Sequence, residues 1–177
     1  NDLDMAGGLR MVGDSEDVHH AANSFRVDED FINVFDMELI AGENFSGRYV
    51  KGEEKLIVNR RAAELFGFPN VEAIVGKMLN YWGAHREVVG VIENYHHKSL
   101  KNNFEREILR NRISGMLYIT VKLKPGASRV DNTIATLNKV WTSRFPEDPF
   151  IFSFLEDHVS DQYKADTQFN TIFSIFS

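Results

Sequence analysis

The most regular stretch of the chain is an alternation. Leu117, Ile119, Val121 and Leu123 interleave with Tyr118, Thr120, Lys122 and Lys124, the period of a half-buried strand. Pro125-Gly126 predicts a turn. Ser128 and Asp131 form a capping box that opens a helix. Val130, Ile134, Leu137 and Trp141 line one face of that helix, and Pro146 and Pro149 close the region. Phe150, Phe152 and Phe154 then alternate as a second strand. Residues 116–155 therefore read as a β-α-β unit, whose crossover is right-handed if the strands are parallel.

Upstream, the elements are shorter. Residues 1–23 hold two Gly-containing polar turns and a His pair and read as an irregular lead-in. Residues 24–27 predict a strand, and Asp28 the N-cap of a helix presenting Phe31, Val34 and Phe35. Residues 37–40 suit a strand ended by Gly42, and residues 45–54 an exposed polar loop. Residues 55–58 predict a strand. Asn59 caps a helix with Ala62, Leu65 and Phe66 inward and Gly67 as its stop. Asn70 starts a short helix that Gly76 ends. Residues 86–92 form a near-continuous apolar run, a buried strand. Residues 94–112 are polar and basic, with Phe104, Ile108 and Leu109 predicting a short helix. Short strands mixed with short helices indicate an α/β or α+β domain.

Composition narrows the function classes. The chain has 177 residues, 43% hydrophobic and 26% charged, enough for one domain or two small lobes with a core. A net charge of −6 argues against a dedicated nucleic-acid binder, which needs a basic face. The absence of cysteine removes disulfide scaffolds, thiol catalysis and Cys-based zinc sites. No apolar run reaches the roughly 18 residues that a membrane span requires. Phe169, Ile172, Phe173 and Phe176 share one helical face near the chain end, and the sequence reads there as a piece of a longer protein.

Candidate chemistry is sparse. His96 and His97 are adjacent, so on a strand they point to opposite faces; a zinc site would need a third ligand such as His85 or Glu93. His19-His20 lies in the lead-in. Asp28-Glu29-Asp30 lacks the ligand spacing of a calcium loop, and helix capping explains these acids better. Gly76-Lys77 resembles the end of a P-loop, but Val71 and Met78 stand where that motif needs Gly and Ser or Thr. No nucleophile elbow, zinc-protease helix or dinucleotide-binding turn occurs. The sequence supports no catalytic, cofactor or metal residue. Lys98, Lys101, Arg106, Arg110 and Arg112 form a basic stretch, read as a solvated face or a contact for an anionic partner.

One ordered set of phrases carries a family resemblance. It runs Phe25-Arg26-Val27-Asp28 with Asp30-Phe31, Gly42-Glu43-Asn44-Phe45, Ile57-Val58-Asn59 with Ala62-Ala63 and Leu65-Phe66-Gly67. It continues through Ile74-Val75-Gly76-Lys77, Val88-Val89-Gly90-Val91-Ile92, Asn94-Tyr95-His96 and Ser99-Leu100. In this order the chain resembles the MacB-like periplasmic core domain of ABC-transporter permeases of the MacB/FtsX/LolC group, over residues 24–177. Glu43 departs from the usual Arg, and Phe104-Glu105-Arg106 lacks the common Pro.

The resemblance implies an α+β fold of two lobes. A porter-like lobe of β-α-β elements would take residues 1–41 and 101–165, a second α/β lobe would be inserted at 42–100, and 166–177 would begin a helix leading toward a transmembrane segment. It implies a non-enzymatic domain on the periplasmic side of the inner membrane. Such a domain couples ATP hydrolysis by a separate subunit to mechanical events outside and meets envelope proteins, peptides or lipoproteins. Gly42 and Ser99 are the expected hinges. The alternatives are a periplasmic ligand-binding sensor, which would enclose a pocket, and a His-dependent metallohydrolase.

Overall fold

The structure, a computed structural model, describes residues 4–47, 50, 52–68, 70–95, 105–112, 114, 118–124 and 130–155. Among the described residues there are seven strands: β1 (Asp4–Met11), β2 (His20–Val27), β3 (Leu39–Gly42), β4 (Leu56–Asn59), β5 (Met78–Tyr81), β6 (Ala84–Ile92) and β7 (Glu107–Asn111). Helix α1 (Phe31–Val34), helix α2 (Arg60–Leu65), a 3₁₀ turn (Val71–Ile74) and helix α3 (Val130–Arg144) complete the set. The chain divides into two compact units. One comprises Asn1–His96 and Asn103–Thr120, the other His97–Asn102 and Val121–Ser177.

In the first unit the strands run β3-β6-β4-β7-β2-β1-β5, and β5 pairs again with β6. Six strands thus form a closed ring of hydrogen-bonded neighbours, with β3 branching from β6. Alternation along the strands separates two cores. Leu9, Ala22, Leu56, Val58, Leu79, Tyr81, Val88 and Ile108 pack in one cluster with Ala62, Ala63 and Ile74. Every ring strand contributes to it, so it fills the ring. Val27, Ile57, Val89, Ile92 and Leu109 face the other way, with Ile32 and Phe45 packed on them.

Local signals explain several elements. Asn59 Oδ1 accepts from the Ala62 N–H at 2.9 Å, and Asn70 Oδ1 from the Ala73 N–H at 3.1 Å, so both expected caps are formed. Gly67 and Gly76 end their turns at φ +72° and +79°. In β6, Leu56 pairs with Val88 but Ile57 with Gly90. The extra residue, Val89, is a bulge that bends the strand, and its carbonyl accepts from the Glu43 N–H at 2.9 Å.

Other expectations need correction. Residues 1–23 are not an irregular lead-in: β1 and β2 occupy much of them, and the Gly7-Gly8 pair that reads as a turn sits at the irregularity between Ala6 and Leu9 in the β1–β2 ladder. The α1 N-cap is Asp30, not Asp28; Asp28 Oδ1 accepts instead from the Asp30 N–H at 3.2 Å. The 45–54 loop is not wholly exposed, since Phe45 is buried. The helix expected within 94–112 is strand β7, buried along its whole length and paired with β2 and β4. Strand β5 escaped the pattern. Its hairpin turns on Trp82 and Gly83, at φ 52° and 75°, the geometry of a two-residue type I′ turn. A bulky side chain there costs about 1–2 kcal/mol of backbone strain.

In the second unit α3 is formed as expected, and Val130, Ile134, Leu137 and Trp141 are among its least exposed positions. Trp141 packs on Phe145 and Phe150 and donates from Nε1 to the Asp148 carbonyl at 3.0 Å. The flanking strands of the expected β-α-β unit are absent from the described residues, because neither 118–124 nor 150–154 enters a ladder. Alternation supplies a face, but a strand also needs a neighbouring edge. Pro125, Gly126 and Ser128 lie outside the described residues, as do Phe169, Ile172, Phe173 and Phe176. No helix among the described residues is long and apolar enough to cross a membrane.

Candidate functional site

The structure gathers polar chemistry at two places on the strand ring. The first is a buried ionic cluster on the inward positions of β2, β5, β6 and β7. Glu54 Oε2 accepts from Arg86 Nε at 2.7 Å, and Glu54 Oε1 from Arg110 Nη1 at 3.3 Å. The side chains of Arg110 and Glu54 are 4% and 8% exposed, and that of Arg86 13%. Arg86 also donates to the Tyr81 carbonyl at 2.6 Å. The Tyr81 ring lies under both guanidiniums, 5.1 Å from that of Arg86 and 4.9 Å from that of Arg110, a cation–π arrangement favoured away from water. Its hydroxyl donates to Ser24 Oγ at 3.3 Å.

The second cluster lies between the end of β6 and the start of β7. Asn59 is its centre. Besides capping α2, its Oδ1 accepts from the Glu107 N–H at 3.0 Å, and its Nδ2 donates to the Glu105 carbonyl at 2.7 Å. Asn23 Nδ2 donates to the Glu105 carboxylate, and the Asn23 N–H to the Arg106 carbonyl at 2.8 Å. Burial first, and then the charge of the neighbouring Glu107 carboxylate, raise the Tyr95 pKa far above the usual phenol value. Arg60 grips Glu93 through Nε and Nη2 at 2.8–2.9 Å, and Asn94 Oδ1 accepts from the Arg61 N–H at 2.8 Å. Side chains thus tie β2, β4, β7 and the end of β6 at one place.

Two predictions arise here. Asn59→Ala removes a cap and leaves the part-buried Glu105 carbonyl and the buried Glu107 N–H without this partner. The expected loss is about 2 kcal/mol in urea denaturation; a loss under about 0.5 kcal/mol would contradict the clamp. The Arg60–Glu93 pair predicts acid sensitivity. Hydrogen bonds from Arg60, then from the Asn94 N–H, hold the Glu93 carboxyl below its usual range. Its contribution is complete above the unfolded carboxylate pKa of about 4.3 and is lost as pH falls through the lower folded value. The side chains are 38% and 36% exposed, so the pair contributes at most about 1 kcal/mol. Glu93→Gln should cost that amount at neutral pH and almost nothing at about pH 2; an equal loss at both pH values would exclude the linkage.

The residues singled out in sequence fare differently. Glu93 is engaged by Arg60, and His85 is exposed. His20 begins β2 and packs edge-on against Phe66 at 5.7 Å, so it belongs to the fold and not to a lead-in. His96, His97, Lys98, Ser99 and Lys101 lie outside the described residues. Arg110, part of the basic stretch, is buried against Glu54, whereas Arg106 and Arg112 remain half-buried. Among the described residues no group of three His, Cys, Asp or Glu side chains could hold a metal. The Glu54–Arg86–Arg110 cluster is invisible in the sequence, because its members lie 32 and 56 positions apart with no local spacing signal.

Solved structures carry the comparison further. The chain is similar in fold to the periplasmic region of MacB from Actinobacillus actinomycetemcomitans, with a TM-score of 0.59 and 17% identity over 89% of this chain and 72% of that one. It is also similar to a permease-protein domain from Porphyromonas gingivalis, at TM-score 0.54 and 18% identity over 88% and 78%. A third likeness is to the extracellular domain of the ABC-type transporter YknZ from Gram-positive bacteria, at TM-score 0.50 and 14% identity over 82% and 78%. No protein-family model matches the sequence, and no curated protein matches it. The chain therefore has the mixed α/β fold of extracytoplasmic permease domains.

Proposed function

We propose that the chain is the extracytoplasmic domain of an ABC-transporter permease, held at the inner membrane by flanking transmembrane helices. It is non-enzymatic and couples ATP hydrolysis by a separate subunit to events in the periplasm by binding an envelope protein, peptide or lipoprotein. The observation that carries this reading is the likeness in fold to the MacB periplasmic region over 89% of the chain, joined to the ordered phrases from Phe25 to Leu100. The division into a porter-like lobe (1–41 and 101–165), an inserted lobe (42–100) and a helix from 166 toward the membrane is part of the proposal. Coupling of this kind needs rigid bodies joined at a bistable connection. The clamp around Asn59 supports that requirement, because it fixes the strand ends on either side of residues 96–104.

The test is a topology map of the full-length parent with reporters fused on each side of this segment. Reporter activity only outside the membrane, followed by loss of transport on cross-linking residues 42–100 to 130–144 with ATP binding intact, is the expected result. A cytoplasmic location would end the proposal, and full transport in the cross-linked protein would end its coupling element.

A further inference from the structure

Trp82 stands in a costly place. It is the first turn residue of the β5–β6 hairpin, with φ 52°, where Asn, Asp or Gly is preferred, and its side chain is 69% exposed. A bulky residue with positive φ is a conformational outlier, and such strain concentrates at functional positions. Among the described residues neither hydrophobic core includes Trp82.

Its surroundings give the site a chemistry. Val12 and Met78 are 42% and 40% exposed, and the Val12 N–H donates to the Met78 carbonyl at 3.1 Å. Met11 and Leu79 pack inward with the ring core, so alternation puts Val12 and Met78 together on the outer face. Met78 stands about 13 Å along β5 from Trp82 at roughly 3.3 Å per residue. The loop following Val12 exposes Asp14, Glu16 and Asp17, and Glu87 is exposed opposite Met78. Among the described residues the cations nearest these positions are Arg10, whose guanidinium stands 4.0 Å from the Glu16 carboxylate, and the exposed Lys77. Along β5 there thus follow, among the described residues, an excess of carboxylates around the exposed Val12–Met78 pair and, at the hairpin end, an exposed aromatic tip.

We propose that this face, with Trp82 as its anchor, docks a basic, apolar-flanked segment of a partner protein. Trp is over-represented among residues that dominate binding, and the acidic rim would steer a cationic segment and repel an anionic one. The same carboxylates disfavour an anionic lipid surface. The inference rests on Trp82 and its neighbours and stands independently of the permease reading.

The test uses the full chain and its Trp82→Asn variant, since Asn suits the turn. A fluorescein-labelled Lys–Leu amphipathic peptide is titrated by anisotropy, beside a Glu–Leu counterpart and vesicles of phosphatidylcholine with phosphatidylglycerol. The chain should bind the Lys–Leu peptide in preference to both. Trp82→Asn should weaken that binding about tenfold or more while raising Tm by about 2 °C. Glu16→Gln combined with Asp17→Asn should weaken binding and flatten its salt dependence. Unchanged affinity in Trp82→Asn, equal binding of the Glu–Leu peptide, preference for vesicles, or no binding at all would overturn the proposal. A self-association abolished by Trp82→Asn would overturn it too, by assigning the face to a second copy.

Discussion

Glu54→Gln should lower the unfolding free energy by about 3–5 kcal/mol, the size expected when one partner of a buried ion pair is removed. The substitution keeps the volume and one acceptor but deletes the charge. Arg110, with a side chain 4% exposed, and Arg86, at 13%, then lose the carboxylate they share. Tyr81 cannot replace it, because its ring sits at about 5 Å from both guanidiniums and already acts on them. Two cations left together in the ring would also repel each other at low dielectric. Urea midpoints read the loss. The double change Glu54→Leu with Arg110→Met should recover much of it, since a buried pair exchanged for apolar groups is often neutral. A loss below about 1 kcal/mol for Glu54→Gln would instead be the behaviour of an exposed pair and would contradict the buried cluster.

That cluster also shows what the sequence could and could not disclose. Local signals were legible wherever a short-range bond makes the element. Asn59 and Asn70 cap the turns that follow them, and Gly67 and Gly76 stop them. The face of α3 lay open in the 3.6-residue period. Strand β7 was not legible. Glu107 and Arg110 make it look like part of a solvated basic stretch, and only partners far away in sequence, Tyr95 and Glu54, allow both to be buried. Strand β5 was hidden for another reason. Its turn residue Trp82 is the opposite of what a type I′ hairpin prefers, so local propensity pointed away from the fold at the one position where exposure and strain coincide. The resemblance to periplasmic permease domains rests on phrases at β2, β4, α2 and β6, and three of these are strands of the ring.

Gly42→Ala should cost about 3 kcal/mol or more, and it separates two views of that glycine. As a lobe hinge, Gly42 would matter for motion and little for stability. The structure shows it held. It ends β3 opposite Gly90, at φ +70°. A Cβ there would overlap the Val89 carbonyl and lie 2.9 Å from the Gly90 Cα. Both obstacles are backbone, and the Val89 carbonyl is fixed by the bulge and by its bond from the Glu43 N–H. The left-handed backbone costs an alanine about 1–2 kcal/mol, and the overlap adds about 1–3 kcal/mol as overpacking does elsewhere. Gly67→Ala supplies the control. Its φ is +72°, but nothing lies within 4 Å of its added Cβ, so it should lose the backbone part alone. Gly90→Ala supplies the converse. Its Cβ would come 2.5 Å from the Glu43 carbonyl, so contact without a positive φ should still destabilise. If Gly42→Ala and Gly67→Ala lose equal stability, the close approach of β3 to the bulge is not what selects glycine, and position 42 returns as a hinge. If Gly42→Ala loses at least about 1 kcal/mol more, the crossing of β3 on β6 is a fixed joint, and any movement in the domain must pivot elsewhere.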